Sequence, residues 1–170
     1  MKDFSAWSGE EMAVFVGAAF HYQSSETGDG QVSAPGLDSF VSWTIDGSIE
    51  NEGWNLFASI TGSNTEGAGA TPDLSLVGFV IQSGYMVVPD TFEPFVRWEW
   101  IDPDVSHQVN LVSVGANYYL NRHNAKITAD VVWAQNSLDV IGGSSGLGLL
   151  TDVAGETDQV AIRAQFQLLF

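Results

Sequence analysis

Apolar and polar residues alternate along most of this chain with a period of two. Eight segments show the alternation, and all are rich in Val, Ile, Phe, Tyr and Trp. This pattern is typical of β-strands whose two faces meet different surroundings. The predicted strands span residues 12–23, 38–49, 53–63, 75–88, 92–101, 109–121, 125–136 and 158–170. The sequence therefore predicts one all-β domain over residues 1–170.

Each predicted strand is longer than the five or six residues usual in soluble proteins, and each approaches or exceeds the roughly 9–11 residues of a tilted membrane strand. One face of the strands is apolar and the other is small or polar, as in the last segment, where Val160 and Ile162 alternate with Arg163 and Gln165. A half-buried sheet in a soluble sandwich gives the same alternation. Alternation alone therefore does not choose between a soluble sandwich and a membrane barrel.

The connections between the predicted strands alternate in length. The segments "SSETGDGQVSAPGL", "GSNTEGAGATPDL", "DPDVSHQ" and "NSLDVIGGSSGLGLLTDVAGET" are long, and "ENEG", "PDT" and "NRHN" between them are short. Outer-membrane barrels have short periplasmic turns and longer extracellular loops, with aromatic girdles near both ends of the strands. Aromatic residues do lie near the segment ends here. There is no run of 18 apolar residues for a membrane helix, so we predict an antiparallel transmembrane β-barrel with eight strands present.

The charged residues predict where a functional site would lie. Five basic residues stand against 21 acidic ones, which excludes nucleic acid as an expected partner, and the absence of cysteine excludes a disulfide or thiolate metal site. On the polar face we expect equal numbers of acids and bases, with the excess acid, Glu50 included, in loops and turns. The predicted lumen-facing charges are Asp46, Arg97, Glu99, Lys126, Asp130 and Arg163.

Three stretches resemble the phosphate-selective porin O/P family. They are "VGANYYLNRHNAKITADVVW" (114–133), "GFVIQSGYMVVPDTFEPFVRWEWID" (78–102) and the end "VAIRAQFQLLF". The resemblance implies a trimeric barrel of 16 strands in which this chain supplies the C-terminal half. It also implies that the barrel-assembly machinery reads the terminal residues Phe166, Leu168 and Phe170. Five basic residues are too few for a strong anion ladder, so we do not expect phosphate selectivity.

The resulting hypothesis is a bacterial outer-membrane porin that passes small hydrophilic solutes or ions, with weak cation preference or little selectivity. The N-terminal "MKDFSAWSGEEMAVF" lacks the apolar core of a signal peptide, so either the protein stays in the cytosol or, as the porin hypothesis expects, its true start lies outside this sequence. One alternative is a closed eight-stranded barrel with a structural or adhesive role, although small inward residues such as Gly17 and Ser42 would pack its interior poorly. The other is a soluble all-β binding module.

We expect no enzymatic activity and no cofactor. No set of Ser, His and acid can be singled out for catalysis, and "GGSSGLG" (142–148) lacks the Gly-Lys-Ser/Thr ending of a phosphate-binding loop. Asp102, Asp104 and His107 offer ligands for a divalent cation, but such spacing is common and solvated loop charge is the simpler interpretation.

Overall fold

A computed structural model describes residues 6–24, 37–67, 72–104, 107–136 and 158–169. These residues form eight antiparallel strands in one sheet, in the order of the chain. The strands are β1 (Ala13–Ser24), β2 (Leu37–Asn51), β3 (Trp54–Gly67), β4 (Leu74–Tyr85), β5 (Phe92–Pro103), β6 (Val109–Asn121), β7 (Ala125–Gln135) and β8 (Gln159–Leu168). The prediction of an all-β fold with eight strands is confirmed.

The sheet is open, because β1 and β8 each pair with a single neighbour among the described strands. The described residues also contain no helix that is long and apolar enough to cross a membrane.

The short connections lie together at one end of the sheet, which we call the turn end; the opposite end is the loop end. The tight turns predicted around 52–53 and 122–124 are confirmed, with Gly53 and Arg122 in the left-handed region at φ 81° and 46°. Glycine adopts that conformation at little cost.

The connection from β4 to β5 is longer than the predicted three-residue turn, and the predicted strand end at residue 88 is wrong. β4 stops at Tyr85, because the amide of Met86 donates to the carbonyl of Gly53 (2.6 Å) and leaves the β4–β5 ladder. The chain then turns through Asp90, whose φ is 56°, and the amide of Phe92 donates to the carbonyl of Val88 (3.0 Å).

The strand registers stagger steadily across the sheet. A row of directly opposite residues begins at Ala13, the first residue of β1, and reaches Arg163 in the interior of β8. Its members are Ala13, Glu50, Asn55, Gly84, Phe95, Gly115, Asp130 and Arg163. Strands that tilt against a common axis produce such a stagger. These residues share one face, which we call the inner face; the other is the outer face.

Burial differs between the two faces. The inner face holds a fully buried apolar cluster near the loop end, made of Val109, Leu111, Val132 and Ala134. A second cluster at the turn end contains Trp7, Met86 and Tyr119. No second sheet or helical layer is present among the described residues, so a sheet curled toward its inner face accounts for the difference.

Candidate functional site

The outer face is apolar and exposed on all eight strands. Within the strands, the large apolar side chains that are exposed lie on this face, with Phe15 and Leu74 as the exceptions. The edge strands are the most exposed: Val16 retains 82% of its accessible surface and Ile162 retains 83%. A surface of this extent exceeds the apolar patches of ordinary soluble monomers.

Aromatic residues on the outer face form two bands, one toward each end of the strands. At the turn end Trp54 pairs with Tyr85 and Phe92 pairs with Tyr118. The loop-end band contains Phe20, Trp43, Phe79, Trp100 and Trp133. Directly opposite aromatic residues stabilise a sheet through side-chain contact. Phe166 and Leu168 of the predicted assembly signal lie on the same face of β8, and Phe170 lies outside the described residues.

All six residues predicted to face the lumen lie on the inner face, and four of them form two ion pairs. Arg97 Nη2 donates to Glu99 Oε1 (2.5 Å) within β5. Arg163 of β8 contacts both carboxylate oxygens of Asp130 on β7, with its Nε donating to Oδ1 (2.9 Å). On the intervening strand β6, Arg97 lies opposite Ser113 and Asp130 lies opposite Gly115, two residues further along. The two pairs therefore form one charged patch on the inner face.

The other two predicted residues lie away from this patch. Asp46 lies directly opposite Gly17 of β1, and a Cβ at Gly17 would be 2.6 Å from Asp46 Oδ2. The missing side chain thus lets the carboxylate lie against the sheet. Lys126 lies between Tyr119 and Gln167 in register, near the turn end. The structure therefore does not bring all six charges into one cluster.

The most buried charged residue of the inner face, Glu93, is not among the predicted site residues. Glu93 is 2% exposed, and its carboxylate accepts hydrogen bonds from Asn55 Nδ2 (2.6 Å), Asn117 Nδ2 (2.9 Å) and the Tyr119 hydroxyl (2.5 Å). Asn55 Oδ1 in turn accepts from the amide of Gly84 (3.1 Å). This network, which we call the Glu93 network, links β3, β4, β5 and β6 near the turn end. Its face could have been predicted from the sequence, because Glu93 has the same parity on β5 as Arg97 and Glu99.

The balance of charge on the inner face also differs from the expectation. Glu50 was assigned to a turn, which is wrong, because it belongs to β2, is 5% exposed and lies opposite Asn55. With Glu50 and Glu93 included, acids outnumber bases on this face. The acids are Asp46, Glu50, Glu93, Glu99 and Asp130, and the bases are Arg97, Lys126 and Arg163.

The predicted candidates outside the inner face do not form a site. Within the described ranges, no group of three or more His, Asp or Glu side chains is placed to hold a metal ion, and this includes Asp102, Asp104 and His107. The segment 142–148 lies outside the described residues.

Known proteins do not identify the chain. No family model, no curated protein and no solved structure matches it. The assignment of function therefore depends on the two faces of the sheet.

Proposed function

We propose that this chain is part of a bacterial outer-membrane β-barrel, with its outer face in lipid and its inner face lining a polar interior. The observation that carries the proposal is the division of faces: exposed apolar side chains on all eight strands outside, and charged and amide side chains inside. Exposing such an outer face to water costs about 25 cal/mol of free energy per Å² of apolar surface. Hydrocarbon removes that cost.

The aromatic bands support the same proposal. Phe92 and Trp100 are eight positions apart on β5, which is about 26 Å along a strand at 3.3 Å per residue. Because membrane strands are tilted, the distance between the bands measured along the barrel axis is shorter than this. It still covers much of the apolar height of about 25 Å that outer-membrane barrels present. Membrane strands also need every backbone group paired, so β1 and β8 would be paired in the complete barrel, with each other or with further strands.

Within this proposal the chain acts as a porin that lets small hydrophilic solutes or ions diffuse through the interior. The Arg97–Glu99 and Arg163–Asp130 pairs largely cancel, so they shape the field across the lumen without adding net charge. The remaining acids, Asp46, Glu50 and Glu93, outnumber the remaining base, Lys126, and this acidic excess favours cations. The resemblance to the phosphate-selective porin O/P family supports a trimer of 16-stranded barrels, delivered by the barrel-assembly machinery, but not phosphate selectivity.

Reconstitution tests this function directly. The complete barrel that contains this chain, refolded in detergent, should run faster on a gel before boiling than after it. In a planar bilayer it should conduct with weak cation preference. Reversal potentials that show strong anion selectivity would contradict the charge argument. A protein that stays monomeric and folded in water without detergent would contradict the membrane assignment.

Burial on the inner face favours a second candidate, a closed barrel without an open pore. Leu111 and Ser113 are 1% and 2% exposed, and an eight-stranded barrel has an interior that side chains just fill. Such a protein would have a structural or adhesive role. It would insert into bilayers and show the same gel shift, but it would neither conduct nor make liposomes permeable to small sugars.

A further inference from the structure

Residues 6–10 precede the edge strand β1, but they lie against the middle of the sheet. β1 begins at Ala13, opposite Glu50 of β2. Six residues earlier, Trp7 contacts Tyr119, an inner-face residue of β6. Four strands lie between β1 and β6 in the sheet, and residues 7–13 extend at most about 20 Å. The segment therefore runs across the turn end on the side of the inner face.

The Trp7 side chain occupies a socket formed by the turn-end residues. Its ring packs edge-on against Tyr119 (centroids 4.9 Å apart) and against His123 (5.2 Å). The Arg122 guanidinium lies 5.3 Å from the ring centroid, within the range of a cation–π interaction. Met86 completes the cluster, and Trp7 is 6% exposed. Burial of this kind fixes the segment in place.

Polar contacts hold the segment on either side of the tryptophan. The amide of Ser8 donates to Asp90 Oδ1 (2.9 Å) in the β4–β5 connection. The amide of Trp7 donates to Glu10 Oε2 (3.3 Å), and the amide of Glu10 donates back to the Trp7 carbonyl (3.2 Å). Gly9 supplies the positive φ of 77° that this small turn uses.

The socket joins the Glu93 network through one residue. Tyr119 packs its ring against Trp7 and donates its hydroxyl to Glu93. Trp7 and the most buried carboxylate of the inner face thus both contact the side chain of Tyr119. A movement of Trp7 would therefore reach the polar interior directly.

We propose that residues 6–12 are an intramolecular strap that closes the turn end of the inner face, with Trp7 as the stopper. Its consequence for conduction rests on the proposed porin function. The position of the strap does not rest on the porin function, so it can be tested separately.

The chain has no cysteine, so introduced thiols report on single positions. Thr128 lies on the inner face near the turn end, where its hydroxyl donates to Asn117 Oδ1 (2.6 Å). With Thr128→Cys in lipid-inserted protein, adding Trp7→Ala should speed labelling by a membrane-impermeant maleimide at least about tenfold, equal to about 1.4 kcal/mol in the opening equilibrium. Trp54→Ala, which removes an outer-face tryptophan at the same end, is the matched control and should leave the rate unchanged.

An unchanged labelling rate in the Trp7→Ala protein would overturn the strap, as would equal acceleration by Trp54→Ala. These results do not depend on conduction. In planar bilayers, Trp7→Ala should raise single-channel conductance, and a Ser8→Cys, Asp90→Cys disulfide should lower it until reductant is added. Faster labelling without any conductance in either protein would support the strap and contradict the porin function. Equal conductance of Trp7→Ala and the parent would contradict the stopper role.

Discussion

The Glu93 network depends on a glycine, and replacing that glycine by alanine gives a sharp test of it. A Cβ at Gly84 would be 2.6 Å from Glu93 Oε1 and 3.0 Å from Asn55 Nδ2, whereas ordinary contact begins at 3.4 Å. Both atoms belong to a hydrogen bond of 2.6 Å. The carboxylate and the amide would have to separate from the strand, and so lose their present geometry.

The expected cost follows from the bonds at stake. A hydrogen bond to a charged group contributes about 1.5–3 kcal/mol, and a buried charged acceptor left short of donors costs more. The broken hydrogen bond should therefore cost about 1.5–3 kcal/mol. Because alanine gains roughly 0.5–1 kcal/mol over glycine in a strand, Gly84→Ala should lower the free energy of unfolding by about 0.5–2.5 kcal/mol in all.

Gly47→Ala is the matched control, because a Cβ at Gly47 meets only the Phe15 carbonyl, at 3.4 Å. Both variants and the parent would be unfolded by urea in the same detergent micelles, with tryptophan fluorescence as the signal. We expect Gly84→Ala to unfold at lower urea concentration than the parent, and Gly47→Ala to unfold at the same or a slightly higher concentration, because it gains the strand preference of alanine without breaking a hydrogen bond. If the two variants unfold together, the network does not have the stabilising role argued for it.

Three further substitutions test other parts of the sheet. Arg163→Gln should lower the free energy of unfolding by about 1–3 kcal/mol, because it leaves the Asp130 carboxylate, whose side chain is 9% exposed, without the guanidinium that contacts both of its oxygens. Arg97→Gln should lower it by about 0–1 kcal/mol, as expected for a more exposed ion pair. Urea unfolding in which Arg97→Gln is the less stable variant would contradict the geometry. Gly62→Ala should displace Trp43, whose ring would be 2.6 Å from the new Cβ. With fluorotryptophan incorporated, the ¹⁹F resonance assigned to Trp43 should shift most, and an unshifted Trp43 signal would refute the contact.

Much of the sheet could be predicted from the sequence because strand periodicity is strong in this chain. Positions such as Val160, Ile162 and Arg163 alternate so regularly that their faces follow from parity alone. The end of β4 could not be predicted, since the pattern of Val87 and Val88 continues the strand. The bond from the Met86 amide to Gly53 ends it, and that bond joins residues far apart in the sequence.

The candidate site was predicted in part. Parity placed Arg97 and Glu99 on one face correctly, and it applies equally to Glu93. Parity does not predict how deeply a side chain is buried. Glu93 is buried because Asn55, Asn117 and Tyr119 converge on it from two other strands. The contact of Trp7 with β6 likewise depends on the curvature of the sheet. No local pattern around Trp7 encodes it.

A spin-label scan of β7 in lipid bilayers would show whether the outer face lies against lipid. Single cysteines at 126–133 would carry a nitroxide, and collision rates with oxygen and with a water-soluble nickel complex would be compared at each site. We predict a period of two, with oxygen access at Ile127, Ala129, Val131 and Trp133 and low oxygen access at the positions between them. Uniform access along β7, or nickel access at the outer-face positions, would contradict a lipid-facing outer face.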